Sequence, residues 1–308
     1  MKPSEKMNDL ADVITDTTVI QGRSLWRDAR LRFFRNKAAV TSVFTLLAVI
    51  LFILIGPQFA VWSNEEIDWA IMADIAGSGM PTVENGHYFG VDSLGRDLFS
   101  RTIQATRTSL LVGVIGAAVA LVIGTLYGTV SGFAGGWVDN AMMRSVDILI
   151  AIPATLIIIL LMVMFERSFF MLFVGIGIVS WLSMSRIVRG QTLTLKNREF
   201  VEAARAAGVG PFTIITRHII PNLLGIVVVY ASLLVPEMIL TESFISFLGL
   251  GVQEPNTSLG ALISEGAGTI SYGTLWQLMY PLFFFIITIV SMFFIGDGLR
   301  DALDPKDR

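Results

Sequence analysis

The sequence predicts an all-α membrane protein with six transmembrane helices and both chain ends on the cytoplasmic side. Three observations carry this. Of 308 residues, 54% are hydrophobic and only 15% charged, where a soluble domain has about a quarter charged residues, and the mean hydropathy is +0.69. The apolar residues gather into six runs of the length a bilayer demands, about 20 residues of helix. Lysine and arginine, finally, crowd into particular connections and avoid others.

Taken in order, residues 1–22 are polar and mostly acidic. They lack the basic start and early apolar stretch of a cleavable signal peptide, so a disordered cytoplasmic tail is expected, followed by a retained membrane anchor. Residues 23–37, "RSLWRDARLRFFRNK", mix arginines with Leu25, Trp26, Leu31, Phe33 and Phe34. A basic helix with aromatics lies naturally among lipid headgroups, as an elbow that holds the first span; an ordinary positive flank is the plainer reading.

The six spans are expected at 38–55, 109–130, 146–165, 169–185, 222–242 and 279–296. Eight basic residues precede the first (Lys2, Lys6, Arg23, Arg27, Arg30, Arg32, Arg35 and Lys37). Six more stand between the fourth and fifth: Arg186, Arg189, Lys196, Arg198, Arg205 and Arg217. The segment 243–278 has none. An excess of basic residues marks the cytoplasmic side, and an even number of spans likewise puts both ends there. The connection 57–108 strains the rule with Arg96, Arg101 and Arg107, accompanied by seven acidic residues. A packed extracytoplasmic element, with a helix over 96–107 leading into the second span, accommodates them. Gly124, Gly128 and Gly132 recur every fourth residue and predict a face of close helix packing.

Cysteine is absent and only two histidines occur, His87 and His218, so thiol catalysis and a histidine metal centre are not expected. His87 reads as a loop residue and His218 as a polar contact beside the elbow described next. Ionisable residues near the membrane are functional candidates: Asp147 at the start of the third span, and Glu237 and Glu242 near the outer end of the fifth. They either line a path or sit hydrated in the interface.

The segment "EFVEAARAAGVGPFTIITRHIIPN" stands on the cytoplasmic side between spans four and five. Its first part is built of helix formers, and residues 199–207 would span about 13 Å as a helix. Gly208 suits a left-handed helix terminus and Pro211 the first turn of the next helix, with Pro221 and Asn222 restarting the chain into span five. Ala203, Ala204, Ala206 and Ala207 make a slim rod able to enter a groove on another protein, where Glu202 and Arg205 supply polar contacts; a solvated connector is the alternative.

"EAARAAG", nine further residues and "HIIP" resemble the EAA loop of permease subunits of ABC importers. Glu202, Ala203, Ala204, Gly208, Ile220 and Pro221 match that pattern, and His218 stands where the broad pattern has an apolar residue, a form similar to the peptide/nickel branch. "HYFGVDSLGRDLFSR" with "TSL", "ESFISFLGLGVQEP" and "GDGLRDALDP" resemble other signatures of the same branch. From about residue 23 onward, the chain is most similar to C-type oligopeptide permeases.

The resemblance implies the type I ABC importer permease fold in a bacterial inner membrane. It divides the chain into a tail (1–22), an interfacial elbow (23–37), the first span (38–56), an extracytoplasmic loop (57–100), a core (101–298) holding five spans and the coupling loop 190–221, and a tail (299–308). Glu202, Ala203, Ala204, Arg205 and Gly208 are the implied docking residues for an ATPase. The chain has no G-x-x-x-x-G-K-[ST] phosphate loop, so ATP and Mg are implied for partner ATPases, with no cofactor bound here and no catalysis by this chain. The implied partners are a second homologous permease subunit, two ABC ATPases, a periplasmic or extracellular solute-binding protein, the peptide and the lipid bilayer, with no nucleic acid. Related permeases serve nickel complexes or other small solutes. A proton-coupled transporter would need carboxylates in mid-membrane and often repeated halves, which the pattern does not favour.

Overall fold

The computed structural model describes residues 25–165 and 168–303. The tail expected at 1–22, the turn at 166–167 and residues 304–308 lie outside the described residues. The main regular elements are helices: α1 (Leu25–Arg35), α2 (Lys37–Ile55), α3 (Leu98–Ala134), α4 (Gly136–Ile150), α5 (Ala154–Met164), α6 (Phe169–Leu195), α7 (Glu199–Ala206), α8 (Pro211–Ile214), α9 (Ile220–Phe247), α10 (Leu259–Thr269) and α11 (Trp276–Leu303), with a long connection between α2 and α3 that holds one further helical turn, Ile75–Ser78. Pairing between extended segments is confined, among the described residues, to two isolated bridges, Ile67 with Arg96 and Val91 with Asp97.

Among the described residues, five elements are long and apolar enough to cross a membrane: α2, α3, α6, α8 continuing into α9, and α11. The stretch 146–165 differs from the single helix expected there. In its place α4 and α5 meet at 73°, a bent pair that adds a sixth crossing where the two count as one span. Pro153 explains the break, because its ring disfavours helical backbone at Ile152 and it donates no hydrogen bond. The fifth span also differs, since the chain does not restart at Pro221. A π-helical turn at Ile215–Ile219 joins α8 to α9, and the Ile220 N–H reaches the Ile215 carbonyl. Widening the helix there accommodates a proline that would clash with the carbonyl four residues back.

The longest helix, α3, has 37 residues and is about 55 Å long. Asp97 caps its start, accepting from the Ser100 N–H at 2.8 Å. Its glycine stripe packs on α6, as the spacing predicts. A Cβ at Gly128 would stand 2.3 Å from the Ser185 carbonyl oxygen, and Cβ atoms at Gly124 and Gly132 would stand 2.6 Å from Met184 and 2.8 Å from Thr192. Small residues let these two backbones touch where no hydrophobic effect drives helices together.

The 57–97 connection packs on one end of this bundle. Asp92, 3% exposed, pairs with both Arg96 and Arg101, which are also buried. Arg96 reaches Glu254 at 2.7 Å and Arg101 reaches Glu265 at 3.3 Å. Burial alone would lower the Arg96 pKa, but the carboxylates of Asp92 and Glu254 more than offset it and raise it. His87 proves more than a loop residue: fully buried, it bonds Asp97 at 2.9 Å and stacks on Trp62. Trp276 and Gln277 both donate to the Val91 carbonyl, which ties the connection to α11. Phe52, Phe89, Tyr280 and Phe284 stack across α2, this connection and α11.

The ends of the helices then sort themselves. The end of α2 and the starts of α3 and α11 meet this packed cap. The start of α2 therefore stands at the opposite end, where Ala39 and Phe33 pack against Gly298 near the close of α11. Both described chain ends thus share one side, and the cap takes the other.

Candidate functional site

At the side opposite the cap, α3, α6 and α9 carry the elbow between them. Arg189 on α6 donates to both oxygens of Asp139 on α4 at 2.6 Å, and the Ser131 hydroxyl adds a third bond to Asp139. Lys196 donates to the Gly132 carbonyl at 2.8 Å. These contacts draw the ends of α3 and α6 together and fix where α7 departs.

Helix α7 has eight residues, Glu199–Ala206. Such a short helix is marginal by itself, so its stability must come from packing. Val201 and Ala204 supply it, turned inward among Met184, Val188, Ile214, Ile219, Leu223 and Val227. Val201 is fully buried, which withdraws a side chain worth about 1.5–3 kcal/mol from water. The guanidinium of Arg205 lies 5.3 Å over the ring of Phe133 at the end of α3, within reach of a cation–π attraction.

The C-terminus of α7 closes by the double bond of a Schellman motif. The Val209 N–H reaches the Ala204 carbonyl and the Gly208 N–H the Arg205 carbonyl, each at 3.0 Å. Gly208 at this turn has φ +76°, a conformation that glycine adopts without penalty. Val209 packs against the same cluster as Ala204. Pro211 then opens α8 at its first turn.

Among the residues expected to dock a partner, Glu202, Ala203, Arg205 and Gly208 are exposed, and Ala204 is buried. Ala204 holds the rod to the bundle instead of offering it outward, because the apolar side of so short a helix must face its own core. Two aromatic residues absent from the sequence reading flank the rod: Phe200, 39% exposed, and Phe212, 79% exposed. Large apolar side chains on either side of an alanine-rich polar stretch were the available signal. His218 is half-buried in the π-helical turn, and its carbonyl accepts from Asn222.

The three expected path residues do not come together. Glu242 is enclosed, 0% exposed, and its carboxylate accepts from Ser109 at 2.9 Å and Ser246 at 2.6 Å. It joins α3 and α9. Asp147 pairs with Arg186 at 2.5 Å on the surface. Glu237 is exposed and lines a cavity of about 110 Å³ with Ser180, Ser183, Thr241 and Ala154.

Residues 120–308 match the family described as the binding-protein-dependent transport system inner membrane component, and residues 24–76 match the N-terminal TM domain of oligopeptide transport permease C. The chain is 51% identical over 307 residues to the oligopeptide transport system permease protein OppC of Haemophilus influenzae, covering 100% of this chain and 96% of that one. It is 51% identical over 308 residues to OppC of Escherichia coli strain K12, with 100% of both covered. To the dipeptide transport system permease protein DppC of Bacillus subtilis it is 38% identical over 305 residues, covering 99% of this chain and 92% of the relative.

Proposed function

Because the chain belongs to the family of inner-membrane components of binding-protein-dependent transport systems, and within it to the C-type oligopeptide permeases, we propose that it carries oligopeptides through the membrane. It is a multi-pass permease subunit of a bacterial ABC importer and is not itself the ATPase. A second homologous permease subunit completes the path, a solute-binding protein delivers peptide to the capped side, and two partner ATPases consume ATP with Mg on the side of the elbow, which is the cytoplasm.

The observation that supports this reading most is the build of α7. It is short, capped at its C-terminus and anchored through Val201 and Ala204, yet presents Glu202, Ala203, Arg205 and the Gly208 turn outward. A rod gripped by its own core transmits displacement, where a floppy connector would absorb it. Movement imposed on α7 by closing ATPases passes directly into α9, because α8, the π-helical turn and α9 run on without a break. The result is a rigid-body change between inward-open and outward-open forms.

Glu237 is the path residue that remains. An unpaired carboxylate facing hydrocarbon would cost about 2.5–3.5 kcal/mol, so its face of α9 turns toward water or the second subunit.

The assembled importer in sealed vesicles tests the reading. Peptide uptake is expected to require ATP on the elbow side and to persist when a protonophore collapses the proton gradient. Uptake driven by a proton gradient without ATP would overturn it.

A further inference from the structure

Of the three arginines that strain the charge rule, the buried Asp92 network occupies Arg96 and Arg101. Arg107 is exposed, and its side chain makes no ion pair or hydrogen bond among the described residues. It borders a pocket of about 500 Å³ between the start of α3 and the end of α2, with Gln104 beside it and Ile53, Ala60, Trp62 and Asn64 opposite. The two helices touch at this level, where Gly56 packs on Ile103.

Depth and polarity identify what the pocket takes. The apolar run of α2 ends at Ile55, and that of α3 begins at Leu110, three residues past Arg107. Arg107 therefore stands just outside the apolar runs of both helices, the level at which a bilayer turns from hydrocarbon to headgroup. Below it on the same face of α3, at four and seven residues, come Leu111 and Val114, 41% and 50% exposed, and such spacing stacks side chains in one strip. Leu47, Ile50 and Leu54 of α2 are likewise exposed. A cation above an apolar strip matches an amphiphile with an anionic head; a small soluble anion has no use for the strip.

We propose that this pocket is a phospholipid site, with the phosphate paired to Arg107, the headgroup between Gln104 and Asn64, and the acyl chains along Leu111 and Val114. The bound lipid fills the seam between α2 and α3 and so fastens the outermost helix to the bundle.

The test uses the complete importer, drawn from nanodiscs of phosphatidylethanolamine and phosphatidylglycerol, with retained lipids counted by native mass spectrometry. Arg107→Gln is expected to lower occupancy of one tightly held phospholipid by about fivefold, near the effect of one basic residue at a membrane surface. Arg107→Lys should keep that lipid. Ala60→Trp, which fills the pocket and leaves the charge in place, should lose it. Millimolar inorganic phosphate should leave retention unchanged. Equal retention in wild type and both depleting variants would overturn the proposal, as would displacement by inorganic phosphate. So would an Arg107→Gln complex that keeps its lipid but fails to capture the solute-binding protein.

Discussion

A Gly208→Val chain is expected to insert normally and to lose ATP-driven uptake. Gly208 has φ +76°, and nothing lies within 4 Å of a Cβ added there. Space is therefore no obstacle, and the penalty is purely one of backbone conformation. A β-branched residue held in the left-handed region costs about 1–2 kcal/mol. That is a small part of the stability of the whole bundle but a large part of what holds an eight-residue helix in place. The turn relaxes toward ordinary backbone, the Val209-to-Ala204 bond opens, and α7 swings away from its aim while Val201 stays buried. Uptake should fall by about tenfold or more, the ratio equivalent to about 1.4 kcal/mol, with ATPase association weakened alongside. Gly208→Asn, which tolerates the left-handed region, should retain most activity. Equal transport by the valine and asparagine variants would remove the turn from the mechanism.

At the other end of the molecule, Asp92→Ala should be the most damaging single change to stability. Asp92 and Arg101 are 3% and 2% exposed, and Arg96 is 8% exposed. Deleting the carboxylate leaves two buried guanidinium groups sharing Glu254 and Glu265, which stand at the margin of the network. Breaking a buried pair by removing one partner costs about 3–5 kcal/mol, and the remaining carboxylates place this case at the low end. Glu254→Gln is the informative contrast. Its side chain is 56% exposed, and partly solvated pairs contribute about 0–1 kcal/mol. Thermal unfolding of the purified chain in detergent should show a large fall for Asp92→Ala and little for Glu254→Gln. Comparable losses would mean that burial does not govern this network.

The membrane character, the helical class and the glycine-lined seam were legible because each depends on composition or on a fixed period of residue types. Gly208 and Pro211 were legible for a similar reason: their backbone requirements are local. What escaped depends on partners distant in the chain. Ala204 looked like its neighbours Ala203 and Ala206, and only the positions of Met184 and Leu223 turn it inward. Glu242 was open between a path and the interface, and nothing local announced its bond to Ser109, 133 positions away. Pro153 was visible, yet the run around it is apolar enough to pass for one span; hydropathy counts side chains and ignores the missing N–H. His87 carried no hint of Trp62 and Asp97 closing around it.

The chain contains no cysteine, so a single introduced thiol reports on one position. In the assembled importer, Glu202→Cys should cross-link to an ATPase subunit, and an impermeant thiol reagent should reach it only from the cytoplasmic side and only after the ATPases are stripped away. A Glu202→Cys thiol labelled from the outer side, or equally reactive with and without the ATPases, would contradict the assignment of α7 as the element through which ATP drives this permease.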